Sequence, residues 1–221
     1  MIPITVHHLE KSRSHRVLWL LEELGLEYDL VEYKRHPRTS RAPAALRKIH
    51  PLGRSPVVVL KDGEALAESG AIIEEVLDRF GEGRLRPEPR TEAHRRYRFW
   101  LHYAEGSLMP TLLVKLITSK MRTDAPLLAK PVSMSVAALV DRAYTDPEIR
   151  NHLSFVEESL RESRWLAGEE FSAADIQMSF PLFGAQPFGV RGRPKIRAFL
   201  EEIESRPAFQ RARERGGPVV P

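Results

Sequence analysis

Apolar positions between residues 4 and 33 change from a strand pattern to a helix pattern and back. Ile4–Leu9 is a short run typical of a strand. Val17–Leu24 follows as a helical segment, and Gly25 directly after it is an expected helix C-cap. Leu26–Tyr33 then predicts a second strand. We therefore expect a strand–helix–strand unit with a right-handed crossover between parallel strands.

The pattern between residues 56 and 80 predicts a hairpin followed by a helix. Pro56 opens Val57–Leu60, whose consecutive aliphatic residues indicate a buried strand. Asp62-Gly63 is a typical hairpin turn, and Ala65–Ala67 is the short return strand. Ser69 is a candidate N-cap for the next helix. The apolar face of that helix is formed by Ile72, Ile73, Val76, Leu77 and Phe80.

After residue 91 the hydrophobic pattern is helical throughout. Residues 82–91 are rich in Gly, Pro and charge, and we predict that they link two domains, residues 1–81 and 92–221. The first long helical stripe passes Pro110, where we expect a kink, and Pro131 interrupts a later helix. The predicted fold is an α/β domain with the order βαβ-ββα, followed by an all-α helical bundle.

Composition narrows the possible functions. The chain has 34 Lys and Arg against 30 Asp and Glu, and arginines cluster in residues 84–98 and 206–215. Acidic residues interleave with them and no zinc-ligand, RNP or basic-zipper pattern accompanies them, so we predict a solvated surface and consider nucleic-acid binding unlikely. The absence of cysteine excludes disulfides, Cys-ligated zinc and a protein thiol nucleophile. The histidine spacings match no metal motif, so no metal site is predicted.

No membrane attachment is predicted from the sequence. The N-terminal residues show no long apolar signal region, and no apolar stretch approaches the ~20 residues needed to span a bilayer. We therefore expect a cytoplasmic protein.

The ordered elements of residues 50–80 resemble a known family. The order is a turn with Pro51 and Gly53, Pro56, a strand, an Asp-Gly turn, a second strand, Glu68-Ser69 and a helix. It is similar to the second half of the thioredoxin-like domain of cytosolic glutathione S-transferases, and the helical second half of the chain fits the same family. The resemblance implies a thioredoxin-like first domain and glutathione as co-substrate.

The resemblance also implies which residues bind glutathione. In the family the proline matched by Pro56 is cis, and the backbone before it, here Ser55, pairs with the cysteinyl part of glutathione. Glu68 and Ser69 match the pair that binds the γ-glutamyl end at a helix N-terminus. Arg54 stands where a basic residue often meets the glycyl carboxylate.

Two hydroxyls are candidates for activating the glutathione thiol. In theta- and delta-like members a serine four residues before an arginine donates a hydrogen bond to the thiolate, and Ser12 has this spacing from Arg16. Ser14 matches an ordinary helix N-cap better but is the alternative. A hydrogen bond to the charged form lowers the thiol pKa. The sequence leaves open whether Ser12, Ser14 or neither acts.

A second specific stretch lies between residues 165 and 176. Ser172 and Asp175 form an S-x-x-D capping box, and Phe171 supplies the preceding apolar residue of a hydrophobic staple. The family has this motif at the start of a buried helix, where it serves folding. We therefore interpret Asp175 as a cap and not as a catalytic carboxylate.

The remaining predictions concern the second substrate and the assembly. Tyr103, Ser107 and Met109 are candidates for an apolar electrophile pocket, and Glu105 is a candidate for the ammonium of glutathione bound to a partner subunit. The family implies a homodimer, with the third helix of one subunit against the long helix of the other.

The resemblance leads to one preferred function and one alternative. The preferred function is a glutathione transferase that activates the thiol for attack on a small electrophile. The alternative is a non-catalytic protein of the same fold that acts through protein or nucleic-acid partners. The glutathione-contact residues are retained in this chain, which favours the enzyme.

Overall fold

A four-stranded sheet forms the centre of the first half of the chain. The computed structural model describes residues 4–219. The strands are β1 (Ile4–Leu9), β2 (Asp29–Tyr33), β3 (Val57–Leu60) and β4 (Ala65–Ala67), in the order β2-β1-β3-β4. β1 is parallel to β2 and antiparallel to β3, and β3 is antiparallel to β4. β2 begins at Asp29 and not at Leu26, so the second strand is shorter than the sequence predicted.

Two helices pack with this sheet, α1 (Ser14–Leu24) and α2 (Ser69–Phe80). Gly25 adopts φ 66° and caps α1, as predicted, because glycine enters the left-handed region without a Cβ clash. The prediction that Ser69 is an N-cap is wrong. Ser69 is the first helical residue, Glu68 is the N-cap, and the Ser69 hydroxyl accepts a hydrogen bond from Gln177 at 3.3 Å.

The second half of the chain is helical. Its helices are α3 (Glu92–Tyr103), α4 (Met109–Thr123), α5 (Lys130–Val140), α6 (Asp146–Glu162), α7 (Ala173–Ala185), α8 (Pro194–Ser205) and α9 (Pro207–Gly216). Single 3-10 turns occur at Ala44–Lys48, Leu127–Ala129, Gln186–Phe188 and Val190–Gly192. The fold class predicted from the sequence is confirmed.

The helices change form near the two predicted prolines, but not at the prolines themselves. Where a kink was expected at Pro110, a π-helical turn at Ala104–Leu108 separates α3 from α4 just before the proline. Pro110 lies in the first turn of α4, where a missing N–H is tolerated. A second π-helical turn, Asp141–Thr145, joins α5 to α6. Pro131 lies in the first turn of α5, after the predicted interruption.

The capping box at the start of α7 is confirmed. The Asp175 carboxylate accepts hydrogen bonds from the backbone N–H of Ser172 and of Leu166, both at 2.9 Å. Asp175 is fully buried, and burial raises its pKa to about 6. Its partners are backbone groups and a serine of its own motif, which agrees with a role in folding.

Arginines of the C-terminal cluster connect the two halves of the chain. Arg206 binds Glu23 of α1 through two hydrogen bonds, at 2.6 and 2.8 Å. Arg211 donates to the Glu22 carboxylate at 2.8 Å. The predicted solvated surface is therefore only partly present in this cluster. Over residues 4–219, no helix has the length and apolar character needed to cross a membrane.

Candidate active site

Three predicted segments meet at one edge of the sheet because of its topology. β1 ends at Leu9, and the antiparallel β3 begins beside that end, with His7 opposite Val57. β4 ends beside the start of β3, with Ala67 opposite Val57. The loop after β1, the turn before β3 and the start of α2 therefore lie at the same edge. This topology brings Ser12, Ser55-Pro56 and Glu68-Ser69 to one end of the sheet.

The turn before β3 is held to β1 by the Ser55 side chain. The Ser55–Pro56 peptide bond is cis, as in the family that the sequence resembles. The Ser55 hydroxyl accepts from the backbone N–H of Leu9 at 3.1 Å and donates to the His7 carbonyl at 2.9 Å. The neighbouring Arg54 is exposed. The hydroxyl thus fixes a turn whose backbone adjoins the end of β1.

The start of α2 has backbone groups whose chemistry suits a carboxylate. Glu68 adopts φ 71°, a conformation that costs a non-glycine residue free energy, and its carbonyl accepts from Ile72 N–H at 2.9 Å. The preceding first-turn N–H groups, starting with that of Ser69, have no intrahelical acceptor. The first turn also contains no acidic side chain. The helix dipole therefore favours an anion here.

The two loop serines are buried and contact each other. The Ser12 and Ser14 hydroxyl oxygens lie 2.7 Å apart, and Ser12 Oγ accepts from the Ser14 N–H at 3.2 Å. Ser14 is the first residue of α1 and is not its N-cap, so the prediction of a cap there is wrong. The Ser14 hydroxyl instead lies 2.8 Å from His8 Nδ1.

Comparison with known proteins identifies the family. A model of the glutathione S-transferase N-terminal domain matches residues 12–79, and one of the C-terminal domain matches residues 122–207. Glutathione S-transferase 1 of Saccharomyces cerevisiae is 37% identical, covering 96% of this chain and 94% of its own. Glutathione S-transferase 3 of Schizosaccharomyces pombe is 33% identical, covering 96% and 87%. The chain belongs to the glutathione S-transferase family.

Solved structures agree with this assignment. A glutathione S-transferase from Actinobacillus pleuropneumoniae superposes with a TM-score of 0.80 at 36% identity, covering 96% of this chain and 92% of that one. A glutathione transferase homologue from Sulfitobacter, solved with bound glutathione, gives 0.79 at 22% identity, covering 98% and 99%. At 22% identity, the similarity to the Sulfitobacter protein shows the shared fold alone.

In this glutathione S-transferase, Glu105 binds within its own chain. One carboxylate oxygen accepts from Arg13 Nε at 2.9 Å, and the other pairs with Nη2 of the fully buried Arg16. Burial alone would raise the pKa of Glu105, but the two guanidinium groups hold it below its ordinary value. Both carboxylate oxygens are thus bound by arginines of the same chain, and the contact of Glu105 with a partner subunit's glutathione stays a prediction.

The three predicted pocket residues lie close together in sequence but differ in their surroundings. Tyr103 and Ser107 border an open groove on α3 and the following π-helical turn, beside Phe99 and His102. Tyr103 and Met109 are both partly buried against the hydrophobic core, and an electrophile pocket at these residues stays a prediction. The Tyr103 hydroxyl is hydrogen-bonded to His152 Nδ1, and burial raises the pKa of Tyr103 to about 12. Tyr103 is therefore protonated at neutral pH.

Sequence reasoning missed two site features. Gln177 of α7 donates to Ser69 and its backbone carbonyl accepts from Arg16 at 2.7 Å, so α7 supports both helix starts. The sequence assigned no role to His8, yet its Nδ1 lies 2.8 Å from the Ser14 hydroxyl. No local motif signals either contact, because the partners of Gln177 are more than 100 residues away in sequence. Among the described residues, no group of three or more acidic or histidine side chains could hold a metal ion.

Proposed function

We propose that this protein is a glutathione transferase that binds glutathione at the edge of its sheet and activates the thiol for attack on a small electrophile. The observation that carries the proposal is the convergence of Ser12, the cis Ser55–Pro56 bond and the start of α2 at that edge. The relatives named glutathione S-transferase, at 33–37% identity over nearly the whole chain, support the same activity.

Each part of glutathione has a matching group at this edge. The backbone at Ser55 suits the peptide groups of the cysteinyl residue. The free N–H groups and dipole at the start of α2, with Glu68 and Ser69, suit the charged γ-glutamyl end. The exposed Arg54 suits the glycyl carboxylate. With these contacts, the cysteinyl sulfur would lie towards Ser12 at the start of α1.

Thiol activation follows from the position of Ser12. A free thiol has a pKa of about 8.5, so only a few per cent is thiolate at pH 7, and a downward shift of ~2 units makes most of it thiolate. A hydroxyl hydrogen bond and the N-terminal end of α1 both favour the charged form. The chain has no cysteine of its own, so the nucleophile is the sulfur of glutathione.

A glutathione titration at neutral pH tests the proposal. Thiolate absorbance in the ultraviolet difference spectrum should rise and saturate with glutathione, and Ser12→Ala should reduce the thiolate fraction severalfold with little change in affinity. Ser14→Ala tests the alternative hydroxyl, and Ser135→Ala, on the exposed face of α5, is the control. No saturable signal with the wild-type protein would contradict the transferase function.

We also expect a cytoplasmic homodimer that accepts an apolar electrophile. The exposed Phe99 lies beside Arg95 and Arg98 on α3, a surface with both apolar and cationic groups. Light scattering of wild type and Phe99→Asp tests whether this surface is part of the dimer. If Phe99→Asp has the same dimer mass as wild type over the same range of protein concentrations, the interface lies elsewhere.

A further inference from the structure

A buried chain of hydrogen bonds runs from Ser12 to the C-terminal end of α9. Ser12 Oγ lies 2.7 Å from Ser14 Oγ, and Ser14 Oγ lies 2.8 Å from His8 Nδ1. His8 Nε2 lies 2.8 Å from the carbonyl oxygen of Gly216. All three side chains are at most 5% exposed. The candidate thiol-activating hydroxyl is thus connected to an imidazole that does not face the cleft.

The direction of these hydrogen bonds follows from the Gly216 carbonyl, which can only accept. The proton of neutral His8 is therefore on Nε2, and Nδ1 is an acceptor. Ser14 then donates its single proton to Nδ1 at 2.8 Å in preference to the Leu9 carbonyl at 3.2 Å. Because Ser14 has no second proton to donate, the hydrogen bond between the two hydroxyls must be donated by Ser12 to Ser14.

Glycine at position 216 makes this arrangement possible. A Cβ there would lie 2.4 Å from Leu18 Cδ1 and 3.1 Å from His8 Cε1. Only a residue without a side chain lets the end of α9 approach His8 so closely. The C-terminal helix therefore sets the tautomer of an imidazole at the end of β1.

The consequence is that the Ser12 proton points away from the cleft. While His8 is neutral, Ser12 can offer a lone pair to a thiol S–H, but it can donate to a thiolate only by breaking its bond to Ser14. Protonation of His8 at Nδ1 reverses the chain, because Ser14 then accepts from the imidazolium. Ser14 can donate to the Leu9 carbonyl, and Ser12 is free to donate outward.

We propose that His8 takes up, through Ser14 and Ser12, the proton that leaves the glutathione thiol. The proposal rests on the proposed function, in which Ser12 faces the sulfur. The S–H bond breaks as its proton moves to Ser12 Oγ, the Ser12 proton moves to Ser14 Oγ, and the Ser14 proton moves to His8 Nδ1. The products are a thiolate that accepts a hydrogen bond from Ser12 and an imidazolium at His8. His8 acts through the two serines and is a positioning residue.

The charges around His8 suit a proton acceptor of this kind. Burial lowers the pKa of His8, which keeps it neutral and able to accept before glutathione binds. Glu10, next to β1, and Glu32 of β2 act in the opposite direction and favour the imidazolium. Burial lowers the pKa of His15 of α1 to about 3, so this neighbour of His8 is neutral at pH 7. Arg213 of α9 is a cation near His15. A thiolate formed nearby adds a further negative charge.

The variant His8→Gln separates proton uptake from hydrogen bonding. A glutamine amide can donate to Gly216 and accept from Ser14, but it cannot take a proton at neutral pH. We expect the thiolate absorbance of bound glutathione to titrate about one pH unit higher than in wild type, with about tenfold less thiolate on the low-pH side and similar glutathione affinity. His7→Gln is the control, since the adjacent His7 bonds to Tyr33 at 2.9 Å and not to the serines.

A measurement on the wild-type protein complements the variant. Nitrogen NMR of His8 should show protonation at Nδ1 with glutathione and not with S-methylglutathione, which has no thiol proton. An unchanged thiolate titration in His8→Gln, or a His8 that stays neutral with glutathione, would overturn this proposal while glutathione still binds as thiolate. A wild-type protein without any thiolate signal would instead overturn the proposed function.

Discussion

At the scale of single residues, Ser55 shows how a hydroxyl can continue a backbone ladder. Pro56 has no N–H to give to β1, and the pairing of β1 with β3 ends at His7 and Val57. The Ser55 hydroxyl bonds to the N–H of Leu9 and the carbonyl of His7, which are backbone groups of β1. From the sequence, only the backbone of Ser55 was assigned a role, as the residue before Pro56.

Replacing Ser55 should therefore affect stability more than binding. We expect Ser55→Ala to lower the free energy of unfolding by about 1–2 kcal/mol, since two hydrogen bonds to backbone groups are lost. Glutathione affinity should change little, because the proposed contact uses the backbone of residue 55. Urea unfolding and glutathione titration measure the two effects. Ser135→Ala, which removes an exposed hydroxyl on α5, is the control.

A large loss of affinity with unchanged stability would contradict this account of Ser55. That result would mean that the hydroxyl itself contacts the ligand.

Residues near a helix start also show where sequence reasoning reached its limit. Gly25 and the Ser172–Asp175 box were predicted correctly, because their partners lie within a few residues. Ser14 and Ser69 have the same local pattern of a hydroxyl before a helix, yet their partners are His8 and the distant Gln177. A local pattern predicts a cap only where no tertiary partner competes for the hydroxyl.

At the scale of elements, the buried Asp141 connects α4 to the π-helical turn after α5. Thr118 and Thr145 donate to one carboxylate oxygen at 2.7 and 2.6 Å. Lys115 and Arg122 bind the other at 2.9 and 2.5 Å. Burial alone would raise the pKa of Asp141, but these four groups hold it well below its ordinary value. The carboxylate is therefore ionised in the folded protein at every pH above about 4.

We expect Asp141→Asn to lower the free energy of unfolding by about 3 kcal/mol at pH 7, since it leaves two cations without their buried partner. The lowered pKa means that the unfolded state binds more protons below about pH 4. The contribution of Asp141 is thus fully present above that pH and is lost progressively as the pH falls below it, towards the lowered pKa of the folded state. Urea unfolding at pH 7, 4 and 2.5 should show the gap between wild type and variant nearly constant down to pH 4 and shrinking below it.

The exposed neighbour Asp146 provides the matched control for this variant. Its carboxylate also binds Lys115, at 2.6 Å, but its side chain is 44% exposed. Asp146→Asn should cost no more than about 1 kcal/mol. An Asp141→Asn effect that is independent of pH would show that shape, and not charge, determines its contribution.

At the scale of the whole molecule, α9 returns to the first half of the chain and holds it to the second. Arg206 binds both oxygens of Glu23, and its guanidinium lies 3.7 Å from the centre of the Phe171 ring. Trp19 also donates to Glu23, at 2.8 Å, so the carboxylate joins the core of α1 to the end of the chain. The sequence predicted two domains but not this connection, because the pair is separated by 183 residues.

The two arginines of this interface should differ in importance. Arg206→Ala should lower the free energy of unfolding by about 2–4 kcal/mol, because it removes a stacked, bidentate partner from a carboxylate that is only 10% exposed. Arg206→Lys should recover little of this loss, since an ammonium cannot stack or bind both oxygens in the same plane. Arg211→Ala should cost at most about 1 kcal/mol, because Arg211 is half exposed.

Chemical unfolding followed by fluorescence and by circular dichroism measures these losses and the coupling between the two halves, in a Trp100→Phe, Trp165→Phe background that leaves Trp19 of the first half as the fluorophore. If Arg206 couples them, the two signals should coincide in wild type and in Arg211→Ala and separate in Arg206→Ala. Equal losses for both arginines would mean that the interface depends on its packed rings and not on the buried ion pair. Because α9 also carries Gly216, a loosened α9 should raise the pH at which bound glutathione forms thiolate, linking the domain interface to the chemistry at the sheet edge.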